Sequence, residues 1–179
     1  MKKLSLITAI ILLAASELFG AEIKAVNERI GFTFNEISAG AGFYDDGHQL
    51  RPVSAASYML GRHFNERWSG GVSALCSLTS YYSGYKYYGE RVYDYGFSLR
   101  ILLNARYHMM TERFSPYIGF DIGPAYLPGY SKSMLPFAGC QIGCRWLIKT
   151  HNVIGFYLEP GISLKGYREL QFRLTYEFQ

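Results

Sequence analysis

Beyond its first twenty residues, this 179-residue chain lacks any apolar run long enough for a helix to cross a membrane. A membrane role for the remainder would therefore require a closed β-barrel, the other architecture that satisfies all of its backbone polar groups internally. The chain also lacks a block of like charge. Its formal charge of +4 is spread out, and loss of residues 1–20 with Lys2, Lys3 and Glu17 would leave about +3. No Lys/Arg cluster of the kind that reads nucleic acid is present, so nucleic acid is excluded as a partner. Cysteine is scarce: Cys76, Cys140 and Cys144 are an odd number. Cys140 and Cys144 share one expected strand, roughly 13 Å apart and beyond disulfide reach. All three fall on an apolar face, where a thiol behaves as a small hydrophobe. No metal or cofactor motif emerges from them. What is abundant is aromatic side chain, 17% of residues with 16 Tyr, together with 19 Gly, a composition that suits strands and turns better than helical bundles.

The first residues read as an address. Met1-Lys2-Lys3 is a basic start, Leu4 to Ala15 has the length of a signal-peptide core, and cleavage is expected after Gly20 or Ala21. No Cys lies nearby to accept a lipid. Residues 21–179 then form one barrel domain.

Alternation of apolar and polar residues is clearest at the C-terminus, where Leu170, Phe172, Leu174, Tyr176 and Phe178 oppose Gln171, Arg173, Thr175, Glu177 and Gln179. That is the period of a strand with one oily and one wet face. Seven strands precede it. The first is expected from about Glu28, with Ile30, Phe32 and Phe34 on one face and a β-bulge near Asn35 to Ile37 restoring parity. The second runs from about Val53 to Phe64, the third from Trp68, and the fourth from Tyr93 to Met109. The fifth spans Phe114 to Tyr126, the sixth carries Ala138 to Ile148, and the seventh runs from Val153 to Ser163. At about 17 residues the fourth exceeds the usual soluble strand, which favours strands that protrude beyond a bilayer. Long connections (45–52, 81–92, 127–136, 164–168) alternate with tight ones (65–67, 110–113, 149–152). The fold class expected is thus all-β, an eight-stranded antiparallel up-and-down transmembrane β-barrel, with both termini on the tight-turn, periplasmic side.

Three stretches carry a family likeness: Gly61-Arg62-His63-Phe64-Asn65-Glu66-Arg67-Trp68 across a tight turn, Ser115-Pro116-Tyr117-Ile118-Gly119 with Gly123 and Tyr126, and Leu174-Thr175-Tyr176-Glu177-Phe178. With them the chain resembles the small eight-stranded bacterial outer-membrane proteins of the OmpA/OmpX/OmpW-like type. The resemblance implies an integral outer-membrane barrel surrounded by outer-membrane lipids. It also implies a terminal strand read by the barrel-assembly machinery through Tyr176 and Phe178; Gln179, after the aromatic, departs from the family pattern.

Several groups of residues are candidates for function. Arg100, Arg106, Asp121, Arg145, Glu159, Arg173 and Glu177 fall on the wet face and would meet inside a barrel too narrow to be empty, with Glu159 and Arg173 the preferred pair. A satisfied internal network competes there with a proton path or narrow pore. Trp68 and Trp146 flank tight turns and, with Tyr107 and Tyr176, have the positions of an interfacial aromatic girdle. Tyr82, Tyr85, Tyr87 and Tyr88 belong to a Tyr-rich stretch that offers either a contact surface for an extracellular ligand or an ordinary strand extension. An enzyme that hydrolyses or transfers acyl chains is the alternative from another class, with His48, Asp45, Asp46 and Ser54 on one rim, but no family-specific spacing supports it and no catalytic residue is assigned. A structural or surface-interaction role is the expectation. A soluble barrel for an apolar ligand would demand the reverse arrangement, oil inside and charge outside.

Overall fold

A computed structural model of the chain describes residues 30–45, 47, 50–85, 91–126, 134–149, 152–163 and 168–179. Eight strands follow in order: β1 (Thr33–Asp45), β2 (Leu50–His63), β3 (Trp68–Tyr85), β4 (Arg91–His108), β5 (Phe114–Tyr126), β6 (Leu135–Lys149), β7 (Asn152–Ser163) and β8 (Arg168–Phe178). Each pairs antiparallel with the next, and β8 returns to β1 along a ladder from Asn35↔Phe178 to Asp45↔Arg168, closing the sheet into a barrel. No helix among the described residues is long and apolar enough to cross a membrane. The strands do the spanning.

Side-chain alternation sorts the barrel into two media. Outside stand Leu103, Phe120, Ile122 and Leu174, each more than half exposed. Inside lie Glu36, Arg100, Arg106, Asp121, Gln141, Glu159, Arg173 and Glu177, all buried. A water-soluble barrel has the opposite distribution, because exposing so continuous an apolar belt to water costs about 25 cal/mol per Å². Hydrocarbon is the medium in which this exterior is stable.

Two expectations about the first half of the chain are corrected. No bulge occurs in β1, whose register with β2 runs unbroken from Thr33↔Arg62 to Asp45↔Leu50. Phe34 does not join Ile30 and Phe32 on an outer face; it is fully buried inside, while Ile30 and Phe32 are exposed ahead of the strand. The cause is Gly31, whose φ of 83° places a left-handed turn before the strand begins and breaks the alternation carried back from it. Second, residues 81–92 are not a long loop. β3 continues to Tyr85 and β4 starts at Arg91, so the connection shrinks to 86–90. The other connections at this end also shorten, to 46–49, 127–134 and 164–167. The asymmetry between the barrel's ends therefore lies in strand length more than in loop length.

Beyond Thr79 the β2 ladder onto β3 stops, and beyond Leu99 the β5 ladder onto β4 stops. Residues 80–85 and 91–95 therefore pair only with each other, as a two-stranded ribbon extending past the rim for roughly 20 Å at the usual strand rise. A register shift between Tyr82 and Gly84 adds local twist to it. Prolines mark two further interruptions. The β4–β5 ladder skips the Ile101/Pro124 level and the next, and the β6–β7 ladder skips Cys140/Pro160 and Gln141/Glu159. Proline has no N–H to donate there.

At the tight-turn end the tip of the Phe34 ring lies against Gly61, so close that a Cβ built on the glycine would stand 2.3 Å from its Cζ. Replacing Gly61 with leucine should force the ring aside and lower the free energy of unfolding by about 1–3 kcal/mol. Urea titration of the folded protein in detergent micelles, against the parent, would measure this; an unchanged midpoint would show that Phe34 relocates at no cost.

Candidate functional site

Three layers of polar side chains fill the lumen. Nearest the ribbon end, Arg100 on β4 makes a bidentate ion pair with Glu169 on β8, its Nη2 donating to Oε2 at 2.5 Å. These staves are four strands apart on a ring of eight, so the pair crosses the barrel's full width. The Arg100 guanidinium rests 4.3 Å above the Phe137 ring, and Phe137 packs with Leu102 and Ala125 in a small apolar cluster. That combination closes the lumen with a charge pair on one side and oil on the other.

In the middle layer, Arg106 on β4 forms a second bidentate pair, with Glu36 on β1, its Nη2 donating to Oε1 at 2.8 Å. Its Nε donates to Gln141 Oε1 at 2.8 Å, and Gln141 Nε2 donates to Asp121 Oδ2 at 2.6 Å. Arg173 sits beside them, its Nε 3.4 Å from Glu159 Oε2 and hydrogen-bonded to Gln171 Oε1 at 2.9 Å. One of its Nη groups donates to the Tyr157 hydroxyl at 3.1 Å. The space framed by Glu36, Asn104, Arg106, Asp121, Glu159 and Arg173 is too small for a water molecule.

The third layer lies at the tight-turn end. His63 Nε2 is 3.0 Å from Glu177 Oε1, and Ser69 Oγ is 2.9 Å from His108 Nε2. Phe34 covers His63 with ring centroids 4.7 Å apart, and Tyr117 packs on His108 at 5.6 Å. Arg145, on β6 opposite Ser115 and Gly155, is buried at the same end.

Every residue named from the sequence as a member of the interior network thus points inward, but the strongest contacts involve partners that the alternation pattern gave no reason to choose. Glu36 was expected to turn away from lipid only through a bulge that β1 does not have, and was not counted in the network. Glu169 stood just outside the terminal alternation, which was read from Leu170, whereas β8 begins at Arg168. Counting the buried described residues, five arginines (51, 100, 106, 145, 173) meet five carboxylates (Glu36, Asp121, Glu159, Glu169, Glu177). An ion-selective pore needs a field of one sign, whereas this interior is balanced.

On the outer surface, Trp68 opens β3 and packs against Tyr107 at 5.1 Å. Trp146, near the end of β6, lies between Phe114 at 5.0 Å and Phe156 at 5.6 Å. Tyr176 stacks on Phe178 at 5.7 Å. All of these rings gather near the tight turns. Cys76 is exposed and Cys140 and Cys144 are half-buried, all as free thiols. Tyr82 and Tyr85 belong to β3, opposite Tyr93 and Arg91, whereas Tyr87 and Tyr88 lie outside the described residues.

The proposed catalytic rim fares differently. His48 and Asp46 lie outside the described residues, Asp45 Oδ1 accepts a hydrogen bond from Gly47 N at 2.9 Å, and Ser54 is on the outer face of β2. Ser69 and His108 do hydrogen-bond, but both are buried in the lumen under Phe34 and Tyr117.

These features define a class: an eight-stranded transmembrane β-barrel of the kind found in bacterial outer membranes, with a filled lumen. No protein-family model matches the chain, and no curated protein sequence does. Solved structures do. Neisserial surface protein A (NspA) aligns with a TM-score of 0.54 at 14% identity, covering 82% of this chain and 96% of that one. The N-terminal β-barrel domain of Pseudomonas aeruginosa OprF gives 0.47 at 15%, covering 83% and 99%. Ail, the attachment invasion locus protein of Yersinia pestis, gives 0.44 at 17%, covering 83% and 99%. The likeness to NspA is one of fold.

Removing one partner of the central pair tests how the lumen is held. Arg106→Met should strand the Glu36 carboxylate and cost about 3–5 kcal/mol, while the double variant Glu36→Gln/Arg106→Met should recover most of that loss. Equilibrium urea unfolding of the three proteins decides it; equal stability of parent and single variant would mean that the pair does not tie β1 to β4.

Proposed function

We propose that this protein is a non-conducting outer-membrane barrel that anchors the β3–β4 ribbon outside the cell as a contact surface for other molecules. The observation that carries the reading is the ribbon itself, two strands of 18 residues each beside staves of 11 to 13 in β1, β5, β7 and β8. A spanning strand needs only about 9–11 residues, so the excess length of β3 and β4 is not required by the bilayer. A rigid extension rich in Tyr offers large contact area at small entropic cost. The filled lumen supports the same reading. Crossed ion pairs hold opposite staves at fixed separation, and a balanced interior with no room for water at its centre favours a plug over a solute path.

The remaining assignments follow from orientation. With the ribbon outside, the tight turns and both termini of the barrel domain face the periplasm. The Trp68, Trp146, Tyr107 and Tyr176 rings then sit at the periplasmic lipid boundary. Tyr176 and Phe178 are available on the outer face of the last strand to be read by the barrel-assembly machinery. Catalysis on lipid remains the less supported reading, since no family-specific spacing supports it and Ser54 stands on the outer face of β2.

An epitope inserted after Tyr88 should bind antibody on intact cells, and one inserted after Glu66 should bind only after the outer membrane is permeabilised. The reverse pattern would overturn the orientation. Purified protein in planar bilayers should add no unitary conductance, and steady channel openings would overturn the plug.

A further inference from the structure

The outer surface of the barrel is not uniformly bulky. Across β3, β4 and β5 one row of outward residues reads Trp68, Tyr107, Ile118, and the next row toward the membrane interior reads Gly70, Ala105, Phe120. Ala105 therefore sits beneath the tilted Trp68/Tyr107 pair, while Gly70 beside it is buried under the Phe64 ring. The result is a groove of about 240 Å³, walled by Trp68, Tyr107, Ile118 and Phe120 and floored by Ala105. The next row on the same staves is bulkier, Val72, Leu103 and Ile122.

A cation stands at the mouth of this groove. Arg67 precedes Trp68, and its Nη1 donates to the Tyr107 hydroxyl at 3.1 Å. The turn holding it is fixed, because Asn65 Oδ1 accepts from the backbone N of both Arg67 and Trp68, at 2.9 and 2.8 Å. Tyr107 is a neutral partner, and among the described residues no carboxylate pairs with the Arg67 guanidinium. A positioned, uncompensated guanidinium directly above an apolar groove, at the depth of an aromatic girdle, matches the two halves of one molecule. The guanidinium fork suits phosphate oxygens, and the groove suits a hydrocarbon chain.

From this juxtaposition we infer that Arg67, Tyr107 and the groove over Ala105 form a specific site for one glycerophospholipid of the leaflet at the tight-turn end. Its phosphate lies against Arg67 and Tyr107, and the first part of one acyl chain packs over Ala105 between Trp68 and Phe120. The inference rests on the membrane reading and goes beyond it, since general solvation by lipid requires no preferred molecule. The lipid would hold β3, β4 and β5 together at the base of the staves that extend into the ribbon.

Trp68 reports on its own site. In a Trp146→Phe background it is the sole tryptophan, and its fluorescence can be titrated in detergent micelles with phosphatidylglycerol brominated on its acyl chains, or with diacylglycerol bearing the same chains. Phosphate contact should lower the mole fraction needed for half-quenching about fivefold relative to the diacylglycerol, the ratio equivalent to about 1 kcal/mol for one cation near a lipid surface. Arg67→Gln should abolish that preference, and Ala105→Phe should weaken quenching by both lipids. Folding of each variant is checked by heat-modifiable gel migration. Equal quenching by the two lipids in the Arg67 protein, or a preference that survives Arg67→Gln, overturns the site while leaving the membrane reading intact. A folded protein quenched by neither lipid overturns the membrane reading as well.

Discussion

Everything in this molecule depends on the ladder between β1 and β8. Inside a bilayer there is no water to satisfy an open sheet edge, and each unpaired backbone group there costs several kcal/mol. The terminal strand meets that constraint along nearly its whole length, from Arg168 to Phe178. Its alternation is unbroken because both of its edges and both of its faces are committed: two ladders, one lipid face and one lumen face. Glycines on β1 allow the seam to close tightly. A Cβ at Gly40 or Gly42 would meet β8 backbone oxygen at about 2 Å.

Closure with eight strands in turn dictates the lumen. A ring of this size leaves a cylinder just wide enough for side chains, so inward residues must pack against those of opposite staves. Apolar fillers would make inside and outside alike and weaken the signal for which face turns toward lipid. Charge solves that problem at the cost of desolvation, which is tolerable only when every ion is paired and hydrogen-bonded. Arg100 with Glu169 and Arg106 with Glu36 meet the requirement through two-pronged contacts, and glutamines 141 and 171 extend them into a connected network. Asp121 and Glu159 each keep one oxygen without a hydrogen bond, so the network is close to satisfied and not wholly so.

How much of this was legible in the sequence follows from the same physics. Strand number, order and facing were legible wherever both faces of a strand are under constraint, as in β4 and β8, because period-two alternation is the direct imprint of lipid on one side and charge on the other. Legibility failed where one constraint lapses. Ahead of β1 a left-handed glycine breaks the alternation, which misplaced Phe34 and called for a bulge that is not there. Past the rim, β3 and β4 leave the bilayer, no medium imposes alternation, and a paired ribbon reads as a Tyr- and Gly-rich loop. Which arginine takes which carboxylate was legible for Glu159 and Arg173, 3.4 Å apart, but not for the two bidentate pairs, for a different reason. Alternation says which way a side chain points, but the partner across a barrel depends on the stagger of the staves, as with Arg100 reaching Glu169 instead of a sequence neighbour.

The two ends of the barrel consequently have different physical characters. At the tight-turn end, short connections, side-chain hydrogen bonds from Asn65 and the Arg113 contacts to the carbonyls of Leu147 and Ile148 hold the staves in fixed register. Aromatic rings and Phe34 close that end from outside and inside. At the opposite end, ladders are interrupted beside Pro124 and Pro160, and beyond the rim β3 and β4 continue alone. A barrel fixed at one end and released at the other can change the sequence of its projecting segment without disturbing closure, because the ribbon's hydrogen bonds are made within itself. That separation between a constrained base and a self-paired extension would let a barrel of this kind take a role decided at its surface.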